Sequence, residues 1–106
     1  MSENKDVKSP QAFDLELVEL GGNKYAYQHQ SNSAVIAEIE WTEDRGVMTM
    51  THTYVDDSLR GQGAAKKLLD QAATYAREKG LKMKAVCSYV VNAFDRSDAY
   101  DDVKVQ

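Results

Sequence analysis

Residues 53–69 read TYVDDSLRGQGAAKKLL. A strand-like segment ends at Tyr54-Val55 and a helix is under way by Leu68-Leu69, yet Gly61 and Gly63 stand where that helix starts. Glycine costs about 1 kcal/mol relative to alanine inside a helix, so the pair needs a reason. A helix begins with backbone N–H groups that lack a partner within the helix, usually answered by a Ser, Thr, Asp or Asn cap. A helix starting near Gly61 has no such residue at its cap. Its open donors and the positive end of its dipole then form a natural phosphate site. Glycine lets a bulky anion approach the backbone, and Lys66 and Lys67 add positive charge nearby. Spacing alone leaves a second reading open: a tight strand-to-helix turn, with Ser58 capping a helix from Leu59. Two nucleotide motifs are excluded. A P-loop needs Gly-Lys-Ser/Thr, but Ala64 follows Gly63; the dinucleotide fingerprint needs a third glycine, and Lys66 stands there.

Upstream of this stretch the chain alternates as strands do. FDLELVEL places Phe13, Leu15 and Leu17 on one face with Asp14 and Glu16 on the other, and Gly21-Gly22-Asn23 supplies a turn. KYAYQHQ follows as a short strand, then the polar turn Ser31-Asn32-Ser33, then AVIAEIEW as a third strand. Glu43-Asp44-Arg45-Gly46 reads as a hairpin connection. VMTMTHTYV, β-branched at every odd position from Val47 to Val55, is the fourth strand. Short connections make these four an antiparallel meander. Downstream, Ala65, Leu68, Leu69, Ala72 and Ala76 share one helical face, and Lys79-Gly80 closes the helix with a cation and a C-terminal glycine. KMKAVCSYVV predicts a fifth strand that passes into something else near Tyr89. Residues 92–106 are expected as a short helix or irregular tail, and residues 1–12 as a flexible one. The expected fold is α+β: a mostly antiparallel sheet of about five strands with one main helix after strand four. A single domain over 13–106 fits a chain of 106 residues.

The order of four antiparallel strands, R-G-Q-G-A-A, helix and fifth strand resembles the GNAT superfamily of acyl-CoA-dependent N-acetyltransferases. Its signature Q/R-x-x-G-x-G/A is matched by Arg60, Gly63 and Ala65. The resemblance implies that the backbone amides from Gln62 through Gly63 and Ala64 to Ala65 hold the pyrophosphate of coenzyme A, with Arg60 and Gly61 beside them as further cofactor-binding residues. It also implies that the fourth strand splays from the fifth, so that Tyr54 and Val55 line the pantetheine arm. The chain is similar to the minimal, YjdJ-like members, which pair H-T-x-V before the loop with C-S/W-Y-V on the fifth strand. Here these are His52-Thr53-Tyr54-Val55 and Cys87-Ser88-Tyr89-Val90. Larger members often carry N-x-x-A-x-x-[FY]-Y after that strand. Asn92 is present, but Asp95 stands where alanine is expected, so no tyrosine acid is carried over.

Acetyl transfer to an amine needs a neutral amine, a polarised thioester carbonyl and a proton donor for the leaving thiolate. Cys87 is the candidate acyl-accepting nucleophile and His52 the candidate base that activates it. Each has a packing alternative: Cys87 as a small core residue, and His52 as a half-buried partner of Met48, Met50 and Tyr54. Tyr25, Tyr27 and Trp41 read as sheet residues. The expected activity is acetyl-CoA-dependent N-acetylation of an amine or lysine-bearing acceptor, peptides and proteins included. The alternative is a non-catalytic acyl-CoA-binding or protein-interaction module.

Composition narrows the other classes. A net charge of −4 argues against nucleic-acid binding through a basic face. No apolar run approaches a membrane span and no signal-peptide pattern opens the chain. One cysteine and two histidines give no zinc-ligand spacing, and the single thiol fits a reducing cytoplasm.

Overall fold

The computed structural model describes residues 14–105; Phe13 and the tail expected over 1–12 lie outside them. The chain runs β1 (Glu16–Gly21), β2 (Lys24–Ser31), β3 (Ala34–Asp44), β4 (Val47–Val55), a 3-10 turn (Asp57–Leu59), α1 (Ala64–Lys79), β5 (Lys82–Ala85) and α2 (Ser88–Arg96). The five strands form one sheet in the order β1-β2-β3-β4-β5. The first four pair antiparallel, and β5 lies parallel to β4. A parallel neighbour needs a long crossover rather than a tight hairpin, and α1 provides it.

Two-residue turns set the register of the meander. Asn32 and Ser33 have φ of 53 and 68, and Arg45 and Gly46 have φ of 51 and 81. Positive φ at both positions matches the twist of the flanking strands. The hairpin expected over 43–46 is therefore tighter than its sequence suggests, because β3 continues through Asp44.

One face of the sheet carries Tyr27, Ile39, Trp41, Met48 and Met50, and α1 lies on it through Leu68, Leu69, Ala72 and Ala76. Burying a side chain of leucine size contributes roughly 1.5–3 kcal/mol, so this face holds α1 in place. Below it, Glu43 Oε2 accepts from Trp41 Nε1 at 3.0 Å and from the Tyr75 hydroxyl at 2.7 Å, satisfying two buried donors. Tyr25, Tyr27 and Trp41 stack within this cluster as sheet residues. The helix ends at Gly80 (φ 71), whose N–H reaches the carbonyls of Ala76 and Arg77.

The fifth strand is shorter than expected. Pairing stops at Ala85 and α2 starts at Ser88, so Cys87 caps a helix and is not on a strand. The run V-C-S-Y-V-V has strand propensity, but tertiary burial overrides it. Val90 and Phe94, one helical turn apart, both enter the core. The last residues turn back, bury Tyr100 and Val103, and bridge Lys104 to Met83 on the outer edge of β5. Arg77 fastens this segment to α1 through Asp102 at 2.7 Å.

One irregularity in β4 decides which side chains reach the helical face. Trp41 pairs with Met50 and Glu40 with His52, so Thr51 is an extra residue in a β-bulge. Alternation along a strand puts successive side chains on opposite faces, and one extra residue exchanges them. Met48 and Met50 are buried, while His52 and Tyr54 are exposed and Thr53 and Val55 turn inward. The expected shared face of His52 with Met48 and Met50 is therefore absent.

Candidate active site

The loop between β4 and α1 builds itself from local bonds. Asp56 accepts from Ser58 N at 2.9 Å; hydrogen bonding from the Ser58 side chain first, and then from this amide, holds its carboxyl below the usual range. Leu59 N donates to Asp56 O, Arg60 N to Asp57 O and Gln62 N to Leu59 O. Ser58 is thus inside a short 3-10 turn and does not cap α1. The chain then passes through Gly61 (φ 82) and Gly63 (φ 73), both in the left-handed region that favours glycine. Gly63 is the N-cap of α1 and makes no side-chain capping bond. The first helical bond is Lys67 N to Gly63 O at 3.0 Å. The amides of Gly63, Ala64, Ala65 and Lys66 accordingly have no backbone acceptor among the described residues.

These amides border a cleft of about 310 Å³ whose walls are Val55, Leu59, Arg60, Gly61, Gly63, Ala64, Ala65, Lys66 and Tyr89. A Cβ added at Gly61 or Gly63 meets no protein atom within 4 Å, so the glycines serve backbone conformation and an open approach. The cations at the rim are held by exposed carboxylates: Arg60 Nε by Asp57 at 2.9 Å and Lys66 Nζ by Asp70 at 2.7 Å. Asp70 pushes the Lys66 ammonium above its ordinary pKa. Exposed pairs of this kind contribute about 0–1 kcal/mol, so either cation can turn to an incoming phosphate. Gln62 instead donates to Ser58 O at 3.2 Å and does not line the cleft.

The sheet opens beside this loop. Paired residues end at Met50 and Ala85, while β4 continues to Val55. Val86 N and Cys87 N both turn to Met50 O, and the chains then part. Asp56 N bonds Ile36 O on β3. Alternation in an antiparallel ladder then directs the backbone groups of Tyr54 toward β3 and those of Thr53 and Val55 toward the opened edge. The Tyr54 side chain lies on the exposed face, with its hydroxyl on Asp56 at 3.2 Å.

Cys87, half-buried at the start of α2, sits at the mouth of this opening. Its Sγ is 3.2 Å from the Thr53 hydroxyl. His52, one residue earlier on β4, points to the opposite face. There Glu38, Glu40 and His52 each place one ligating atom within 4.8 Å of the others. Burial first, and then a hydrogen bond shared with Glu40, raises the Glu38 carboxyl, while the Gln28 amide at 2.7 Å opposes the shift. The fold therefore brings Cys87 to Thr53 and gathers His52 with two carboxylates. Neither grouping has a linear motif. Tyr89, quoted in the C-S-Y-V segment without a role, lines the cleft, and burial foremost pushes its hydroxyl up. Its position one residue inside α2 is visible only once the helix is recognised.

A sheet split between β4 and β5, with an uncapped glycine-led helix at the split, is the arrangement that the resemblance to the GNAT superfamily implies. The chain belongs to the GCN5-related N-acetyl-transferase family: the Acetyltransf_CG profile, so described, matches residues 24–103. It is similar to a GCN5-like candidate N-acetyltransferase from Staphylococcus aureus solved by NMR. The two are 38% identical with a TM-score of 0.64, over 86% of this chain and 88% of that one. An IAA acetyltransferase from Bacillus cereus is 27% identical with a TM-score of 0.50, over 57% of this chain and 42% of that one. A PaiA N-acetyltransferase from Thermoplasma acidophilum, solved with coenzyme A, shares the fold at 19% identity and a TM-score of 0.50, over 56% of this chain and 37% of that one. No curated protein matches it. No helix among the described residues is long and apolar enough to cross a membrane.

Proposed function

We propose that the chain is a minimal single-domain N-acetyltransferase that takes acetyl-CoA and passes the acetyl group to an amine. The observation that carries this reading is the row of amides at Gly63, Ala64, Ala65 and Lys66, without backbone acceptors among the described residues, bordering a cleft where the sheet splits. Those donors and the dipole of α1 suit a pyrophosphate. Gly61 and Gly63 leave room for it, and Arg60 offers charge. Val55, with Thr53 beyond it, presents free backbone groups along the opened edge for the amides of a pantetheine arm. Tyr54 and Gln62, expected along this path, stand outside the cleft walls. The coenzyme A bound by the Thermoplasma acidophilum protein supports the same cosubstrate here.

Cys87 is the proposed acyl acceptor. Its sulfur, as thiolate, attacks the acetyl carbonyl, the bond to the coenzyme's sulfur breaks, and the departing thiolate takes a proton. A neutral amine then attacks the acetyl-cysteine, forming the amide and returning the thiol. His52 is the proposed base. Its ring lies across the sheet from the sulfur, so this role requires proton exchange through solvent rather than a direct contact with the thiol. On the open face it also meets protons of an arriving amine, beside Glu38 and Glu40. Both helices pack with the apolar residues of the other face, and an open face suits a large acceptor such as a lysine-bearing peptide.

The test is a screen of purified protein with labelled acetyl-CoA against amines and lysine peptides, alongside mass mapping of the protein itself. Release of acetylated product with an acetyl mass on Cys87 is the expected result. Coenzyme A binding without any turnover would leave an acyl-CoA-binding module, and no binding would remove the cradle.

A further inference from the structure

The contact at the sulfur belongs to a residue that motif reading leaves without a task. We infer that Thr53 is the positioning residue of Cys87: its hydroxyl donates to the sulfur and holds it, as thiolate, at the mouth of the split sheet. The inference rests on the proposed acyl-accepting role of Cys87 and adds the group that makes the thiol competent.

The geometry has two independent parts. The Thr53 hydroxyl lies 3.2 Å from Cys87 Sγ, a contact across 34 residues of sequence. The bulge at Thr51 is what aims it there. In an unbroken strand the face that buries Met48 and Met50 would continue through His52, and Thr53 would point away. Bulges often re-aim a side chain next to a reacting group. Here the extra residue turns the imidazole out and brings a hydroxyl in.

The direction of the hydrogen bond follows from chemistry. A threonine hydroxyl does not accept a thiol proton to any useful extent near neutral pH, so it is no general base. Against a neutral thiol either atom can donate. Once the thiol proton has left, only the hydroxyl has a proton to give, and bonds to a charged acceptor are the stronger ones. Thr53 thus favours the thiolate without consuming a proton. The titratable neighbour on α2 is Tyr89, whose hydroxyl is raised chiefly by burial and stays protonated. On β4, His52 faces the other side of the sheet.

The test is the rate of Cys87 alkylation by iodoacetamide as a function of pH, measured without acetyl-CoA on parent, Thr53→Val, Thr53→Ala and Thr53→Ser. Valine keeps the shape and strand preference of threonine, and alanine supplies a second removal should valine disturb the fold. Loss of a hydrogen bond to a charged group, offset in part by the greater nucleophilicity of a more basic thiolate, predicts alkylation slower by roughly three- to tenfold at neutral pH. The whole pH–rate profile should move to higher pH, and Thr53→Ser should recover most of the loss. Parent-like profiles in folded Thr53→Val or Thr53→Ala overturn the inference, as does a Thr53→Ser protein no better than Thr53→Val. Acetyl transfer by Cys87→Ala at the parent rate would defeat the covalent mechanism instead. That result leaves the alkylation comparison to judge Thr53 by itself.

Discussion

Replacing Gly63 with valine separates the role of the loop in binding from its role in folding. Gly63 has φ of 73 at the N-cap of α1. A side chain there costs about 1–2 kcal/mol for the left-handed conformation alone, valine at the upper end. A Cβ at Gly63 meets no protein atom within 4 Å, so no clash adds to the strain. For a domain of this size the loss lowers Tm by roughly 5–10 °C. Gly80 is the internal control. It sits at the other end of the same helix with φ of 71, and a Cβ there also meets nothing. Gly80→Val should therefore cost similar stability while leaving the cleft untouched. Calorimetric titration with coenzyme A should show affinity weakened more than tenfold, or about 1.4 kcal/mol, in Gly63→Val alone. Near-parent affinity in a folded Gly63→Val protein, or an equal loss in Gly80→Val, would refute the amide cradle.

Other outcomes follow from named contacts. Coenzyme A affinity should fall with added salt, because charges such as Arg60 and Lys66 are screened beyond about 10 Å at 0.1 M. Dephospho-coenzyme A should be less sensitive, and equal insensitivity of both would point to an apolar pocket. Tyr75→Phe removes the hydroxyl on Glu43 and should cost about 1 kcal/mol in a denaturant titration. Its coenzyme A affinity should match the parent, since Tyr75 lies roughly 16 Å along α1 from the cleft. Glu38 has a raised carboxyl pKa, so the native state favours its protonated form over the ordinary value of 4.5. Its stabilising contribution is complete below that value and is lost as pH rises through the raised one. Glu38→Gln should then melt higher than the parent at pH 7, with the advantage shrinking toward pH 4. An advantage independent of pH would contradict the assignment.

Much of this protein is local, and the local part is legible in its sequence. The apolar face of α1 follows from residues three and four apart, and the meander from alternation and its turn residues. The spacing of Gly61 and Gly63 marks the strand-to-helix loop because a left-handed backbone is a property of those residues themselves. Spacing left the start of α1 undecided between Leu59 and the glycines, because Asp56 and Ser58 form a capped turn of their own before Gly63. The run from Cys87 to Val91 is locally ambiguous: its β-branched residues suit a strand. Only burial of Val90 and Phe94 against β5 and the returning tail makes it α2. The bulge at Thr51 is equally hidden, since it exists as a mismatch of register between two strands and not in either alone. That single extra residue sends His52 to Glu38 and Glu40 on one face and Thr53 to Cys87 on the other. Side chains 34 residues apart meet only after the sheet has formed and split, so the pairing at the sulfur belongs to the tertiary structure.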